Sequence, residues 1–245
     1  LVTNLSGFAQ RQIRWFEDPE YPLGAVDESH RNDSFGVRID QFRDFGAGGR
    51  FTAGAEYRAD FLESTTDGRR DRSVRAVVLQ HSLEFPAARV VVTPAFRLDA
   101  SDDYPTQGSP KLLAAFHPLA HLELRGSAGR SYRPPSFTDL FLPARASAAG
   151  NPGLRPEKSA DADFGGSWSR GAFGFGATAF YNRIPDLIQW IPGAAGVWRP
   201  HNVTGARIAG IETEGRVSFP VRVVGSEIHL QANYTFIDPR DVSGE

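Results

Sequence analysis

Apolar and polar residues alternate through most of this chain. Over 227–236, Ile228, Leu230, Ala232, Tyr234 and Phe236 share one parity, and Glu227, His229, Gln231, Asn233 and Thr235 the other. Successive strand side chains point to opposite faces, so the segment predicts a strand with one apolar and one polar face. Residues 51–61 repeat the pattern, with Phe51, Ala53, Ala55, Tyr57, Ala59 and Phe61 against Thr52, Gly54, Glu56, Arg58 and Asp60. Residues 121–128 and 173–182 follow suit. Weaker versions over 1–15, 32–43, 73–85, 89–100, 110–116, 158–168 and 202–219 bring the expectation to about 11 strands. Pro94 lies inside one of them, where it deletes a ladder hydrogen bond and predicts a local irregularity.

The connections alternate too. Residues 17–31, 64–72, 101–109, 133–157 and 184–200 read as long loops. Residues 44–49, 86–88, 117–120, 169–171 and 220–225 read as short turns, and a last polar stretch begins at 238. A Greek-key sandwich gives no reason for that rhythm, whereas an up-and-down outer-membrane barrel has short periplasmic turns and long extracellular loops. Aromatic residues mark every short turn: Phe42, Phe45 and Phe51, then Phe85, Phe116, Trp168 with Phe173, and Phe219. Rings collect at membrane interfaces as girdles. The apolar parity of 228–236 holds no charge, where one at midplane depth would cost about 2–4 kcal/mol. The expected fold is all-β: an antiparallel transmembrane β-barrel, present in part.

Composition narrows the function classes. The chain has 245 residues and a formal net charge of −2, without the basic excess of a nucleic-acid binder. It has no Cys, which excludes disulfide scaffolds, thiol catalysis and Cys-ligated zinc. It has no Met and begins with Leu1, so it reads as an internal piece of something longer. Mean hydropathy is −0.34, the average of one wet and one greasy face. No apolar run is long enough for a transmembrane helix, and no signal-peptide pattern opens the chain. No G-x-S-x-G, H-E-x-x-H, Walker A or Rossmann fingerprint occurs, so no enzyme is expected. Glu212 and Glu214 share a strand face, which in a barrel is the polar lumen.

Residues 130–158 carry the most specific signal. Arg133-Pro-Pro-Ser-Phe-Thr-Asp-Leu-Phe, followed by Gly150-Asn-Pro-Gly-Leu-Arg-Pro-Glu-Lys-Ser, resembles the hallmark of TonB-dependent outer-membrane receptors. Phe180-Tyr-Asn-Arg-Ile-Pro-Asp-Leu-Ile-Gln-Trp, Asn202-Val-Thr-Gly-Ala-Arg-Ile-Ala-Gly-Ile-Glu and Tyr234-Thr-Phe-Ile-Asp-Pro-Arg-Asp are similar to the family's following strands, in order. Pro94-Ala-Phe-Arg-Leu-Asp is similar to an earlier one. The resemblance covers 94–241 by motif and 1–93 by pattern. It implies about half of a roughly 22-stranded barrel, all of 1–245 belonging to that one domain, with the plug domain lying outside this sequence. The implied function is uptake of a scarce large nutrient, an iron siderophore, cobalamin or similar, across a Gram-negative outer membrane. The implied partners are outer-membrane lipid, the nutrient, and the TonB energy-coupling protein acting through the plug. A plug-less porin and a secreted all-β binding module are the alternatives.

Arg133, Pro134, Pro135, Phe137, Gly150, Asn151, Pro152, Pro156, Glu157, Asn202, Gly210 and Glu212 match the family pattern. The expectation is that they close turns and set strand register, because Pro and Gly punctuate backbone geometry first. Tyr104, Trp190 and Trp198 fall in predicted extracellular loops, where rings stack on a large ligand. For Trp190 the outer girdle is an equal alternative. Asp99, Asp102 and Asp103 cluster in one predicted loop and offer hard oxygen ligands to calcium, without EF-hand spacing. No other cofactor is expected.

Overall fold

In the computed structural model, residues 1–18, 26–145, 147–193, 196–221 and 226–241 are described. They form one antiparallel sheet of 11 strands in strict sequence order. The strands are β1 (Val2–Asp18), β2 (Val26–Asp44), β3 (Arg50–Ser64), β4 (Gly68–Phe85), β5 (Val90–Ser101), β6 (Gln107–Leu119), β7 (Leu122–Arg133), β8 (Glu157–Arg170), β9 (Phe173–Pro192), β10 (Trp198–Val221) and β11 (Ser226–Asp241). One short helix, α1 (Phe137–Phe141), lies between β7 and β8. Among the described residues no helix is long and apolar enough to cross a membrane.

The register carries the apolar parity unbroken from strand to strand. Leu5 pairs with Ile39, Ile39 with Ala55, Ala55 with Val77 and Val77 with Leu98. Across the later strands, Trp168 pairs with Phe175, Phe175 with Gly215 and Gly215 with Ala232. That face is bare: Leu5, Val77, Phe164, Phe173, Phe175, Leu230 and Tyr234 are all exposed large hydrophobics. A water-soluble sheet would cover such an area; here lipid is the cover. The girdle expected at the short turns is present, with Phe45, Phe85, Phe116, Trp168, Phe173 and Phe219 exposed around that rim.

The opposite face carries the charges. Arg38, Glu56, Ala76 and Asp99 lie side by side on β2 to β5. Arg97 reaches over the small Ala76 to Glu56 at 3.0 Å while holding Asp99 at 2.7 Å. Arg38 continues the chain to Asp40 at 2.8 Å. Paired and bidentate, these groups satisfy one another along the inner wall.

The short turns fall where expected, as 3-10 turns at Gly46–Gly48 and Pro86–Ala88 and as tight reversals after Leu119 and Arg170. Residues 222–225 lie outside the described set. The predicted long loops do not hold up, with one exception. Three residues separate β3 from β4, five separate β5 from β6, and five separate β9 from β10. At the first connection β1 and β2 stay paired up to Asp18 and Val26, and residues 19–25 lie outside the described set. The supposed loops are strand extensions rising beyond the lipid. Alternation fades there because both faces meet water, yet backbone pairing continues. Pro94 behaves as its missing N–H requires: the β4–β5 pairing skips His81 and Ser82 opposite Pro94 and Thr93.

Candidate functional site at the barrel mouth

The exception is the segment 134–156, which folds back over the mouth instead of standing up from it. Arg133 ends β7 opposite Glu157, the first residue of β8. Its guanidinium donates to both carboxylate oxygens at 2.6 Å. Glu157 is buried, and its Oε1 also accepts the Ile188 N–H at 2.6 Å, so one carboxylate ties β7, β8 and β9 together. Pro134 and Pro135 then stop the strand, and Pro135 is fully buried.

Ser136 caps α1 through a capping box. Its Oγ accepts the Asp139 N–H at 3.1 Å, and Asp139 Oδ2 accepts the Ser136 N–H at 2.9 Å. The other oxygen of Asp139 accepts the Trp190 indole N–H at 2.9 Å. Leu140, Leu154 and Ile188, with Phe141 against them, form a small apolar core beneath the segment. Gly150 is obligatory at the fold-back: a Cβ there would lie 2.7 Å from the Leu142 nitrogen and 2.8 Å from the Leu140 oxygen. Asn151 donates to the Pro200 carbonyl at 3.0 Å. Asn202 accepts the Arg155 N–H and donates to the Arg155 carbonyl, both at 2.9 Å. The motif residues around the mouth therefore pin this segment to β9 and β10.

The other side of the segment reaches β2, the β3–β4 turn and β4. Thr138 donates to Asp67 Oδ2 at 2.7 Å, and Arg145 donates to Glu28 at 3.2 Å. Arg70 lies over the Phe141 ring at 4.6 Å and Arg72 over Phe137 at 4.7 Å. Beneath is a chamber of about 660 Å³ whose lining includes Arg14, Glu28, Arg58, Asp60, Asp67 and Arg72. Most of these charges are paired. Buried lining atoms without a hydrogen-bond partner include Asp67 Oδ1 and Arg72 Nη2, on residues 2% and 8% exposed. A buried polar atom left unpaired costs about 1–3 kcal/mol, so this acceptor and this donor gain from a polar guest.

The aromatic and acidic candidates settle differently from their predicted places. Tyr104 is 7% exposed, not a free loop ring; it packs on Tyr132 with centroids 5.8 Å apart and lies under Arg72. Trp190 sits within β9 and its N–H is taken by Asp139, which removes it from both the loop and the outer girdle. Trp198 opens β10 and is 47% exposed, leaving one ring of the three open to solvent. Asp99, Asp102 and Asp103 are not brought together around a cation. Asp99 turns into the inner wall to Arg97, Asp102 accepts from Ser73, and Asp103 accepts from Arg72 at 2.7 Å. Among the described residues no group of acids and histidines is arranged for a metal. Gly210 and Glu212 stand apart from the mouth on β10; Phe180 covers Gly210, and Glu212 faces the lumen beside Thr178.

Asp67, Arg72, Arg70 and Thr138 were not singled out from the sequence. For the wall pairs a signal exists: Arg38-Ile-Asp40, Arg58-Ala-Asp60 and Arg97-Leu-Asp99 each place a cation and an anion on the same polar parity.

An up-and-down antiparallel sheet with an apolar outward face, a charged inner wall and an inward-folded mouth segment has the build of part of a transmembrane barrel wall. The family model "TonB dependent receptor-like, beta-barrel" matches residues 3–245, and the chain belongs to that family of Gram-negative outer-membrane receptors. It is similar to the vitamin B12 transporter BtuB of Photobacterium profundum, 30% identical over 149 residues, which are 59% of this chain and 23% of that protein. The BtuB of Vibrio vulnificus is 29% identical over 157 residues, 64% of this chain and 24% of that protein. Among solved structures, the siderophore receptor PirA of Pseudomonas aeruginosa superposes with a TM-score of 0.73 at 16% identity, over 97% of this chain and 49% of that one. A mutant of the ferric enterobactin receptor PfeA of the same organism, in complex with enterobactin, gives 0.77 at 18% identity, over 96% and 41%. The chain thus spans about a quarter of the curated relatives' length and less than half of those solved chains.

Proposed function

We propose that residues 1–245 are one stretch of the barrel domain of a TonB-dependent transporter that takes up a scarce large nutrient of the cobalamin or iron-siderophore kind. The supporting observation is the mouth segment 134–156, which carries the family motif and roofs a chamber with unsatisfied buried groups. Proteins similar to this one are named for vitamin B12 and for siderophores, the two nutrient classes retained here. In this reading Asp67 and Arg72 meet polar groups of the arriving nutrient, and Trp198 offers an open ring at the same mouth. A guest that is neutral or carries a small negative charge fits, because Arg14, Arg58, Arg72 and Arg145 outnumber Glu28, Asp60 and Asp67 by one around the chamber. The charged inner wall gives a plug domain polar groups to rest on, and energised movement of that plug through TonB opens the path.

The test is a host lacking the full-length receptor, supplied with cobalamin or single ferric siderophores as limiting nutrient. Loss of uptake of one of them, restored by the wild-type gene, is expected. Restoration by a gene carrying Asp67→Asn and Arg72→Gln should be weaker by about tenfold, the loss of one or two charged hydrogen bonds. Unchanged uptake of every nutrient in the deletion strain would overturn the transport reading.

A further inference from the structure

One histidine stands where the mouth segment meets the early wall. His30 lies on the inward face of β2, opposite Ser64 of β3 and Arg14 of β1. Its Nδ1 is 2.8 Å from the Ser64 hydroxyl, and its Nε2 is 3.7 Å from Glu28 Oε2. Two polar links carry segment 134–156 across the chamber, and both end on the neighbours of this ring. Arg145 donates to Glu28 Oε1, and Thr138 donates to Asp67, which sits in the turn that Ser64 organises.

The hydrogens around Ser64 can be assigned. Its Oγ accepts the Thr66 N–H at 3.0 Å and the Asp67 N–H at 2.9 Å. A hydroxyl has two lone pairs and one proton. Both lone pairs are taken, so the proton goes to His30 Nδ1, and that nitrogen carries no hydrogen of its own. The ring is therefore neutral, with its N–H on Nε2 toward Glu28. A second proton, on Nδ1, would set two hydrogens against each other at this contact. Relief requires Ser64 to turn a lone pair to the ring and release the N–H of Thr66 or Asp67. Ser64 is buried, so water is a poor substitute for either bond.

The same proton acts on the second link. The charged groups that share the chamber with His30 are Glu28 on its own strand, Arg14 on β1, Arg58 and Asp60 on β3, Asp67 in the turn, Arg72 on β4 and Arg145 in the segment. They already carry one positive charge in excess, and an imidazolium makes it two. That charge faces Glu28 and offsets the carboxylate that holds Arg145. The closed arrangement thus accepts the neutral ring and opposes the charged one, so its stability is lost as pH falls through the titration of His30.

We propose that His30 is a pH-sensitive switch for the mouth segment. Neutral, it completes the hydrogen bonding of Ser64 and keeps segment 134–156 fastened across the chamber; protonated, it frees the 65–67 turn and Arg145, and the segment lifts. The switch is built from the wall and the segment alone and does not rest on the transport reading. The experiment follows amide hydrogen exchange in the full-length receptor in detergent, from about pH 8 down to about pH 4, a range that covers imidazole and then carboxylate titration. Each rate is divided by that of the unfolded chain at the same pH, which removes the intrinsic pH dependence of exchange. Protection of the Thr66, Asp67 and Arg145 amides should fall by about tenfold before about pH 5 is reached, roughly the effect of one lost hydrogen bond, while β8 and β9 stay protected. His30→Asn keeps an acceptor for Ser64 without a titrating ring, and should hold full protection across that range. Ser64→Ala should leave the two turn amides poorly protected throughout. Wild-type protection that does not change with pH would overturn the proposal, and that comparison needs no variant to fold. A response that persists in His30→Asn, or one that begins only below about pH 5, where carboxylates take up protons, would overturn the assignment to His30.

Discussion

Arg133 and Glu157 form a pair whose two members are unequal. Glu157 is buried and Arg133 is about half exposed, so the cost of losing each differs. Arg133→Met strands a buried carboxylate with only the Ile188 N–H to serve it. Removing one partner of a buried pair costs about 3–5 kcal/mol, reduced here because the arginine side meets water. Glu157→Gln keeps an acceptor for Ile188 and leaves Arg133 to solvent, at about 1–3 kcal/mol. Amide hydrogen exchange at Ile188 in the complete receptor should accelerate more in Arg133→Met; the reverse order would contradict this account. Both residues were visible in the sequence as motif members, but their charge pairing was not, because 24 residues separate them. Asp67 and Arg72 were invisible for a related reason. Their surroundings come from Thr138, Asp103, Phe137 and Tyr104, which no local pattern connects to them.

Among the elements, the strands were the legible part and their ends the illegible part. Period two reports which face meets lipid, and it stops reporting where both faces meet water. This is why 64–72 and 184–200 read as loops although β4 begins at Gly68 and β9 runs to Pro192. The mouth segment was legible as a break, through Pro134 and Pro135, but not as an inward fold. Its geometry hangs on Gly150, where backbone atoms of Leu140 and Leu142 leave no room for a methyl group. Gly150→Ala should push the segment off β9 and cost about 1–3 kcal/mol, the usual range for overpacking. The expected readout is faster exchange of the Leu140 and Asn151 amides with β8 and β9 protection unchanged. Full retention of protection at both amides would show that the close approach relaxes without cost.

The whole molecule is turned inside out relative to a soluble protein: large hydrophobics face outward and ion pairs line the interior. Mean hydropathy hides this arrangement, since it averages the two faces; the register exposes it. Ala232, midway along the outward row from Ile228 to Phe236, tests the assignment against its inward neighbour Gln231. Ala232→Arg should destabilise the complete barrel in lipid vesicles by about 2–4 kcal/mol, while Gln231→Arg should change it little. Equal effects in reversible unfolding would mean that the faces are assigned the wrong way round.

Every strand in the sheet pairs with its neighbours in sequence, so the barrel wall assembles from short-range contacts, hairpin by hairpin. The mouth segment departs from this rule. Thr138 finds Asp67 across 71 residues of chain, and Arg145 finds Glu28 across 117. Such contacts carry a large loop-closure entropy and form only after the wall has curved enough to bring β2 and the β3–β4 turn within reach. The inward fold at Gly150 is therefore a late event in biogenesis, a latch that engages only on a wall already bent to its final shape.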